Sequence, residues 1–133
     1  MSQFVATIKN IDNIDSLNIV EFDFLGTTLK MMSLGLSSEI QLGKKVKLSV
    51  KPTNIIIAKN ILGDISLSNN IVATIKQIEN GKLLSSILLK IGDIFLESII
   101  TKDSSLRMNL QINDEVSMYI KASDLSIKEV LND

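Results

Sequence analysis

Residues 4–11 read Phe-Val-Ala-Thr-Ile-Lys-Asn-Ile, and residues 71–78 read Ile-Val-Ala-Thr-Ile-Lys-Gln-Ile, so one stretch recurs almost letter for letter 67 positions later. A weaker match in the same order joins residues 41–53 to residues 111–123, at an offset of 70. Two matches in one order indicate a tandem duplication rather than chance. The sequence therefore predicts two structural repeats with the same fold.

The predicted repeats span residues 1–62 and 63–133 of the 133-residue chain. A unit of about 65 residues buries a thin core when it folds alone. We therefore expect the two repeats to pack on each other, and also on a second copy of the chain. The expected assembly is a homo-oligomer, a dimer or a trimer.

The second repeat reads as a series of short strands. Apolar and β-branched runs cover residues 83–89 and 93–100, and residues 116–120 alternate apolar and polar side chains, as a half-buried strand does. Asn80-Gly81 and Gly92-Asp93 are typical turn pairs between such strands. The pattern predicts antiparallel hairpins.

Between the last two of these strands, residues 101–110 favour a short helix, with Thr101 and Asp103 as candidate caps and Leu106 and Leu110 at helical spacing. Residues 33–42 occupy the same place in the first repeat. Five short strands and one short helix per repeat predict an all-β fold, a tandem of two OB-like small β-barrels.

The composition excludes much familiar chemistry. The chain has neither cysteine nor histidine, which removes disulfides, thiolate nucleophiles, the commonest general base and the commonest metal ligands. Aromatic residues make up 4% and the formal net charge is −1, which argues against direct nucleic-acid binding. No carboxylate pair, nucleophile–base pair or phosphate loop is recognisable. We therefore predict a binding protein, with no enzymatic activity, no cofactor and no cationic metal.

The sequence also suggests a compartment. Residues 1–9 contain no basic segment followed by an apolar run, as a secretory signal would. No apolar run approaches the roughly 20 residues that a membrane span needs. We expect a cytoplasmic protein without membrane insertion.

Three polar segments of the second repeat lie at the ends of apolar strands, at residues 66–70, 100–104 and 120–124. They offer hydroxyl and backbone N–H donors, and Lys121 adds a fixed cation. Such donors suit a tetrahedral oxyanion, because each charge-assisted hydrogen bond contributes about 1.5–3 kcal/mol. The same residue types are ordinary in turns, so their chemistry alone leaves a turn role open.

The first repeat offers weaker equivalents of these donors. Ser33, Lys51 and Thr53 occupy related positions, and Pro52 stands where the second repeat has Ala122. Because proline has no backbone N–H, one donor is absent there. We therefore expect the second repeat to carry the better site.

The order of three motifs, residues 66–70 (Ser-Leu-Ser-Asn-Asn), 98–101 (Ser-Ile-Ile-Thr) and 120–124 (Ile-Lys-Ala-Ser-Asp), resembles the molybdenum-pterin-binding (Mop, TOBE-type) domain. That family typically opens a repeat with Ser-Ala-Arg-Asn-Gln and closes it with Ile-Lys-Ala-Ser/Thr-Asp. The resemblance covers nearly all of the second repeat and the first more faintly. It implies binding of molybdate or tungstate, with molybdenum or tungsten present only as the oxyanion.

The resemblance also implies the binding positions, at sites between repeats or subunits. The matching residues are Ser66, Leu67, Ser68, Thr101, Lys121, Ala122 and Ser123, with Ser2, Ser33, Lys51 and Thr53 as weaker candidates in the first repeat. Ser68 departs from the family, because it stands where the family has arginine and removes one of two cations. Arg107 is the only arginine of the chain, and nothing in the sequence makes it a replacement.

The leading hypothesis is an intracellular protein that binds molybdate or tungstate for storage, homeostasis or sensing. The alternative is an oligomerisation or partner-interaction module, a regulator or transporter accessory, whose anion sites are weak or vestigial. The missing arginine favours the alternative. A third hypothesis, an OB-type nucleic-acid binder, is disfavoured by the charge balance and the few aromatic residues.

Overall fold

Alternation of apolar and polar side chains produces ten strands in the computed structural model, which describes residues 2–132. The first half of the chain forms β1 (Ser2–Ile14), β2 (Leu17–Phe24), β3 (Thr27–Leu34), β4 (Lys45–Val50), a 3₁₀ turn (Pro52–Asn54) and β5 (Ile56–Ala58). The second half forms β6 (Asn69–Asn80), β7 (Leu84–Ile91), β8 (Ile94–Thr101), α1 (Lys102–Arg107), β9 (Glu115–Ile120), a 3₁₀ turn (Ala122–Asp124) and β10 (Ser126–Val130). The two halves therefore repeat one order of strands.

The strands form two five-stranded sheets, and each sheet takes an edge strand from the other half. The first sheet has the order β10-β4-β1-β2-β3 and the second the order β5-β9-β6-β7-β8, with all pairs antiparallel. The predicted all-β tandem of OB-like units is confirmed. The predicted boundary at residues 62 and 63 falls between β5 and β6, and each sheet draws on both sides of it.

The short helix forms in the second half, where it was expected. Thr101 is its N-cap, and its side chain accepts a hydrogen bond from the Ser104 N–H at 3.2 Å. In the first half the corresponding position is Leu34, and the next residue, Gly35, has a φ of +81°. Neither residue favours a helix start, and the described residues between β3 and β4 form turns instead of an α-helix.

Both predicted hairpin turns are present. Gly92 and Asp93 alone connect β7 to β8, and Gly92 has a φ of +59°, which suits glycine. Three residues, 81–83, connect β6 to β7 after Asn80. The Gly81 N–H closes this turn by donating to the Leu84 carbonyl at 2.7 Å.

One hydrophobic core runs through both halves. Its fully buried side chains come from inward positions of the strands, and they include Phe22 and Phe24 of β2, Leu89 of β7 and Met118 of β9. Among residues 2–132 no helix is long and apolar enough to cross a membrane. The shared core keeps the two halves, and the strand ends between them, in one arrangement.

Candidate oxyanion site

Two of the predicted segments leave the same end of one strand pair. Asn69, the first residue of β6, pairs with Ile120, the last residue of β9. Residues 66–68 immediately precede Asn69, and residues 121–123 immediately follow Ile120. The antiparallel pairing therefore brings together two of the three sequence motifs, although they lie more than 50 positions apart in the sequence.

A strand of the first half completes this region. The second 3₁₀ turn, Ala122–Asp124, packs against β3, and Ser33 and Ser123 line one open cleft of about 440 Å³. Apolar side chains, among them Met31, Leu125 and Ile127, line the same cleft. We call this region, formed by Ser33, residues 66–68 and residues 121–123, the Ser33 seam.

The charge in the Ser33 seam is uncompensated. Lys121 is exposed, and among residues 2–132 its ammonium group has neither a hydrogen-bond acceptor nor an ion-pair partner. Ser66, Ser68 and Ser123 are exposed as well. The region thus presents hydroxyl groups and one available cation to solvent, which is a donor set for an anion.

Thr101 lies in a different region from Lys121 in the single chain. Thr101 lines an open cleft of about 410 Å³ with Thr53 of the first half, together with Ser104 and Arg107. We call these four residues the Thr53 seam. Each seam joins the 3₁₀ turn of one half to the end of the third strand of the other half, so the two seams are related by the internal repeat.

In the Thr53 seam, hydrogen bonds already join Thr101, Ser104 and Arg107. The Thr101 side chain caps α1 and donates to Ser104 Oγ at 3.0 Å, and Arg107 donates to the same Oγ at 3.1 Å. Arg107 Nε also lies 3.9 Å from Asp103 Oδ2. The polar segment predicted at residues 100–104 includes Ser104 with Thr101, but sequence reasoning missed Ser104 and Arg107 as hydrogen-bond partners of each other. The signal that finds them is helical spacing, because Arg107 follows Ser104 by three positions.

Two side chains at equivalent positions of the repeats each form hydrogen bonds with the backbone of the other half, and we call these two contacts the backbone clips. The buried Asn69 amide accepts from the Lys30 N–H at 2.6 Å and donates to the Lys30 carbonyl at 2.8 Å. The buried Ser2 hydroxyl accepts from the Glu97 N–H at 3.0 Å and donates to the Glu97 carbonyl at 3.2 Å. The structure therefore places the candidate Ser2 in a backbone contact between halves, away from solvent.

The remaining first-half candidate, Lys51, precedes the 3₁₀ turn at Pro52 and is exposed. Its backbone angles, φ −68° and ψ 135°, match those of Lys121, φ −68° and ψ 139°. The two Lys-containing turns are therefore copies of one local structure, and they differ in the N–H that proline lacks. Among residues 2–132 no group of three or more His, Cys, Asp or Glu side chains is arranged to hold a metal ion.

The chain is similar to a known domain family and to solved structures. Residues 65–127 match the TOBE domain family. A crystal structure of the cytoplasmic molybdate-binding protein ModG, grown from PEG with molybdate bound, superposes with a TM-score of 0.86 at 22% identity, covering 94% of this chain and 93% of ModG. A molybdate-binding protein from Sporomusa ovata matches 53% of this chain over its whole length, at 31% identity and a TM-score of 0.47. No curated protein sequence matches the chain.

Proposed function

We propose that this chain, a tandem TOBE-type protein in which residues 65–127 match the TOBE domain family and the first half repeats their strand order, binds molybdate or tungstate at the Ser33 seam. The observation that carries the proposal is the pairing of Asn69 with Ile120. That pairing gathers residues 66–68 and 121–123 at one strand end, where the Lys121 ammonium group is available, and Ser123 shares a cleft with Ser33. The shared fold with a molybdate-binding protein supports the choice of anion.

In the proposed site, Lys121 balances part of the charge of the dianion. The hydroxyl groups of Ser66, Ser68 and Ser123 and the backbone N–H groups of Leu67 and Ala122 donate hydrogen bonds without adding net charge. Serine at position 68 leaves a single lysine as the cation, and we infer a weaker site than one with an added arginine would be. Thr101, Lys51 and Thr53 lie outside this site in one chain.

Binding without catalysis, in the cytoplasm, is the role that we propose, serving storage, homeostasis or sensing of the anion. We also propose self-association into a homo-oligomer. It is supported by large apolar side chains on the sheet edge strands, since Leu34 of β3 is 78% exposed and Phe95 of β8 is 51% exposed. The same exposed edges favour the alternative of an interaction module with vestigial anion sites.

Thermal unfolding with molybdate, tungstate or sulfate tests the proposal. A ligand at about 100 times its dissociation constant stabilises the folded state by about 2.7 kcal/mol, which raises the melting temperature by several degrees. We expect this shift with molybdate or tungstate and a smaller one with sulfate at equal ionic strength. Equal shifts with all three anions would indicate a general salt effect, and no shift would favour the interaction module.

Lys121→Ala is the decisive variant, and Lys45→Ala is its matched control. Both lysines are exposed, and both substitutions change the net charge equally. Lys45, however, is the first residue of β4, whereas the first 3₁₀ turn follows the other end of that strand. We expect the anion-dependent shift to disappear in Lys121→Ala and to persist in Lys45→Ala. Loss of the shift in both variants would indicate long-range charge rather than a site.

A further inference from the structure

The two backbone clips make Asn69 the residue on which the geometry of the Ser33 seam depends. Asn69 is 0% exposed, and its amide makes both of its hydrogen bonds with the backbone of a single residue, Lys30. Lys30 lies on β3, which is an edge strand of the first sheet. The Asn69 side chain therefore acts like one further rung of a β-ladder and attaches the second half to an otherwise free strand edge.

The same residue has a second attachment through its backbone. Asn69 pairs with Ile120 in the ladder between β6 and β9. Its chain neighbour is Ser68, and the chain neighbour of Ile120 is Lys121. Ser68, Lys121 and β3, which belong to three parts of the Ser33 seam, are thus attached to one another through one buried side chain and one backbone pair.

We propose that Asn69 is a positioning residue of the oxyanion site, an inference that rests on the proposed function. It does not contact the anion, because its amide is buried and both of its polar atoms are occupied by Lys30. Its role is to hold the Ser66–Ser68 donors and the Lys121 cation at a fixed distance from Ser33. Donors held in place before the ligand arrives lose less entropy when it binds.

The first half supplies a matched control, because Ser2 makes the equivalent clip. Ser2 pairs with Val50 as Asn69 pairs with Ile120, and its hydroxyl contacts the N–H and carbonyl of Glu97 on β8. Glu97 is the edge-strand counterpart of Lys30, 67 positions later. The Ser2 clip supports the Thr53 seam instead of the Ser33 seam. Its loss removes a contact between halves without touching the proposed site.

Isothermal titration of the full chain with molybdate, far below the melting temperature, tests this role in wild type, Asn69→Ala and Ser2→Ala. Removal of outer partners that orient ligating groups lowers affinity by about 10- to 100-fold around metal sites. We expect a loss of about tenfold or more in Asn69→Ala and less than about twofold in Ser2→Ala. Both variants are expected to unfold at lower urea concentration. Faster amide hydrogen exchange at Lys30 or Glu97 reports which clip has opened.

The outcomes separate the two proposals. If wild type binds neither molybdate nor tungstate, the proposed function fails, and the positioning role fails with it. If wild type binds and folded Asn69→Ala binds equally well, only the positioning role is overturned. Equal losses of affinity in Asn69→Ala and Ser2→Ala would also overturn it, since they would reflect general loosening. If Asn69→Ala does not fold, Asn69→Ser, which keeps a hydroxyl group, takes its place. We expect Asn69→Ser to bind molybdate more weakly than wild type does. Unchanged affinity in this variant would overturn the positioning role.

Discussion

The Lys59 ammonium group lies 3.0 Å from the Asp114 carboxylate and also donates to the Asn109 carbonyl at 3.0 Å. Lys59 directly follows β5, the strand that the first half contributes to the second sheet, and Asp114 directly precedes β9, on which β5 pairs. The ion pair therefore fastens the exchanged strand at the point where the chain leaves the sheet. A three-residue strand has few ladder hydrogen bonds of its own, so this contact is a substantial part of its attachment.

The attachment at Asp114 predicts a dependence of stability on pH. The hydrogen bond from Lys59, and then the one from the Gln111 N–H, hold the pKa of the Asp114 carboxyl below its ordinary value of 3.8. A lowered pKa in the folded state stabilises the protein above the unfolded-state value, and this contribution is lost as the pH falls through the folded-state pKa. We expect Asp114→Asn to be less stable than wild type at neutral pH and to lose less stability on acidification. Urea unfolding of both proteins at neutral pH and below pH 3.8 measures the difference.

Asp103 provides a comparison for that experiment, because its carboxylate lies on the surface, 3.9 Å from Arg107. An exposed pair of this kind contributes about 0–1 kcal/mol. Asp103→Asn is therefore expected to follow the wild-type pH profile. If Asp114→Asn follows it too, Asp114 does not carry the acid sensitivity that its contacts predict.

A buried hydrogen bond between the halves leads to a second prediction. The Ser98 hydroxyl donates to the Ile55 carbonyl at 2.7 Å, and both residues are almost fully buried. Ser98→Ala leaves that carbonyl without this donor, so we expect a loss of about 1–3 kcal/mol in the free energy of unfolding. The exposed Ser38 serves as the control, and Ser38→Ala should change stability by less than about 0.5 kcal/mol. Similar urea midpoints for the two variants would contradict the importance of this contact.

Much of this fold follows from sequence patterns that act locally. The recurrence of residues 4–11 at 71–78 identifies β1 and β6, and alternation identifies β9, because side-chain burial in a strand has a period of two. The exchange of β5 and β10 between sheets has no such signal. Residues 56–58 and 126–130 would show the same pattern in either sheet, and only the packing of the shared core determines their partners.

Part of the candidate site can likewise be predicted from the sequence, and part depends on how the two halves pack. Residues 66–68 and 121–123 come together through an antiparallel strand pair, a relationship that repeat matching and strand assignment make predictable. The position of Thr101 depends on how the halves pack, and this packing carries it to Thr53 rather than to Lys121. Likewise, Ser2 resembles an exposed donor in the sequence, whereas strand pairing buries it against Glu97.

The separation of Thr101 from Lys121 predicts how Thr101 variants respond to molybdate. Thr101→Ala removes the N-cap of α1, which costs about 1 kcal/mol, and Thr101→Ser retains a capping hydroxyl. Because Thr101 lies in the Thr53 seam, we expect the molybdate-dependent shift in melting temperature to persist in both variants. Loss of the shift in Thr101→Ala, with the shift intact in Thr101→Ser, would instead assign the Thr101 hydroxyl to anion binding.

The two 3₁₀ turns predict the effect of a single missing N–H group. Lys51 and Lys121 have almost identical backbone angles, and proline follows the first whereas alanine follows the second. Those angles lie in the extended region that proline favours for its preceding residue, so Ala122→Pro fits the backbone of its turn. A compatible substitution to proline stabilises a protein by about 0.4–1 kcal/mol through the unfolded state. We expect Ala122→Pro to melt at or slightly above the wild-type temperature in the absence of anion.

The anion response of this variant should move in the opposite direction. Ala122→Pro removes a single proposed backbone donor and leaves Lys121 and Ser123 in place, so the site loses one hydrogen bond to a charged group, about 1.5–3 kcal/mol, or roughly a 10- to 150-fold loss of affinity. Calorimetric titration with molybdate measures this loss, and Pro52→Ala, which restores the N–H in the other turn, is the reciprocal control. Undiminished affinity in a stable Ala122→Pro protein would mean that the backbone of the second turn does not contact the anion.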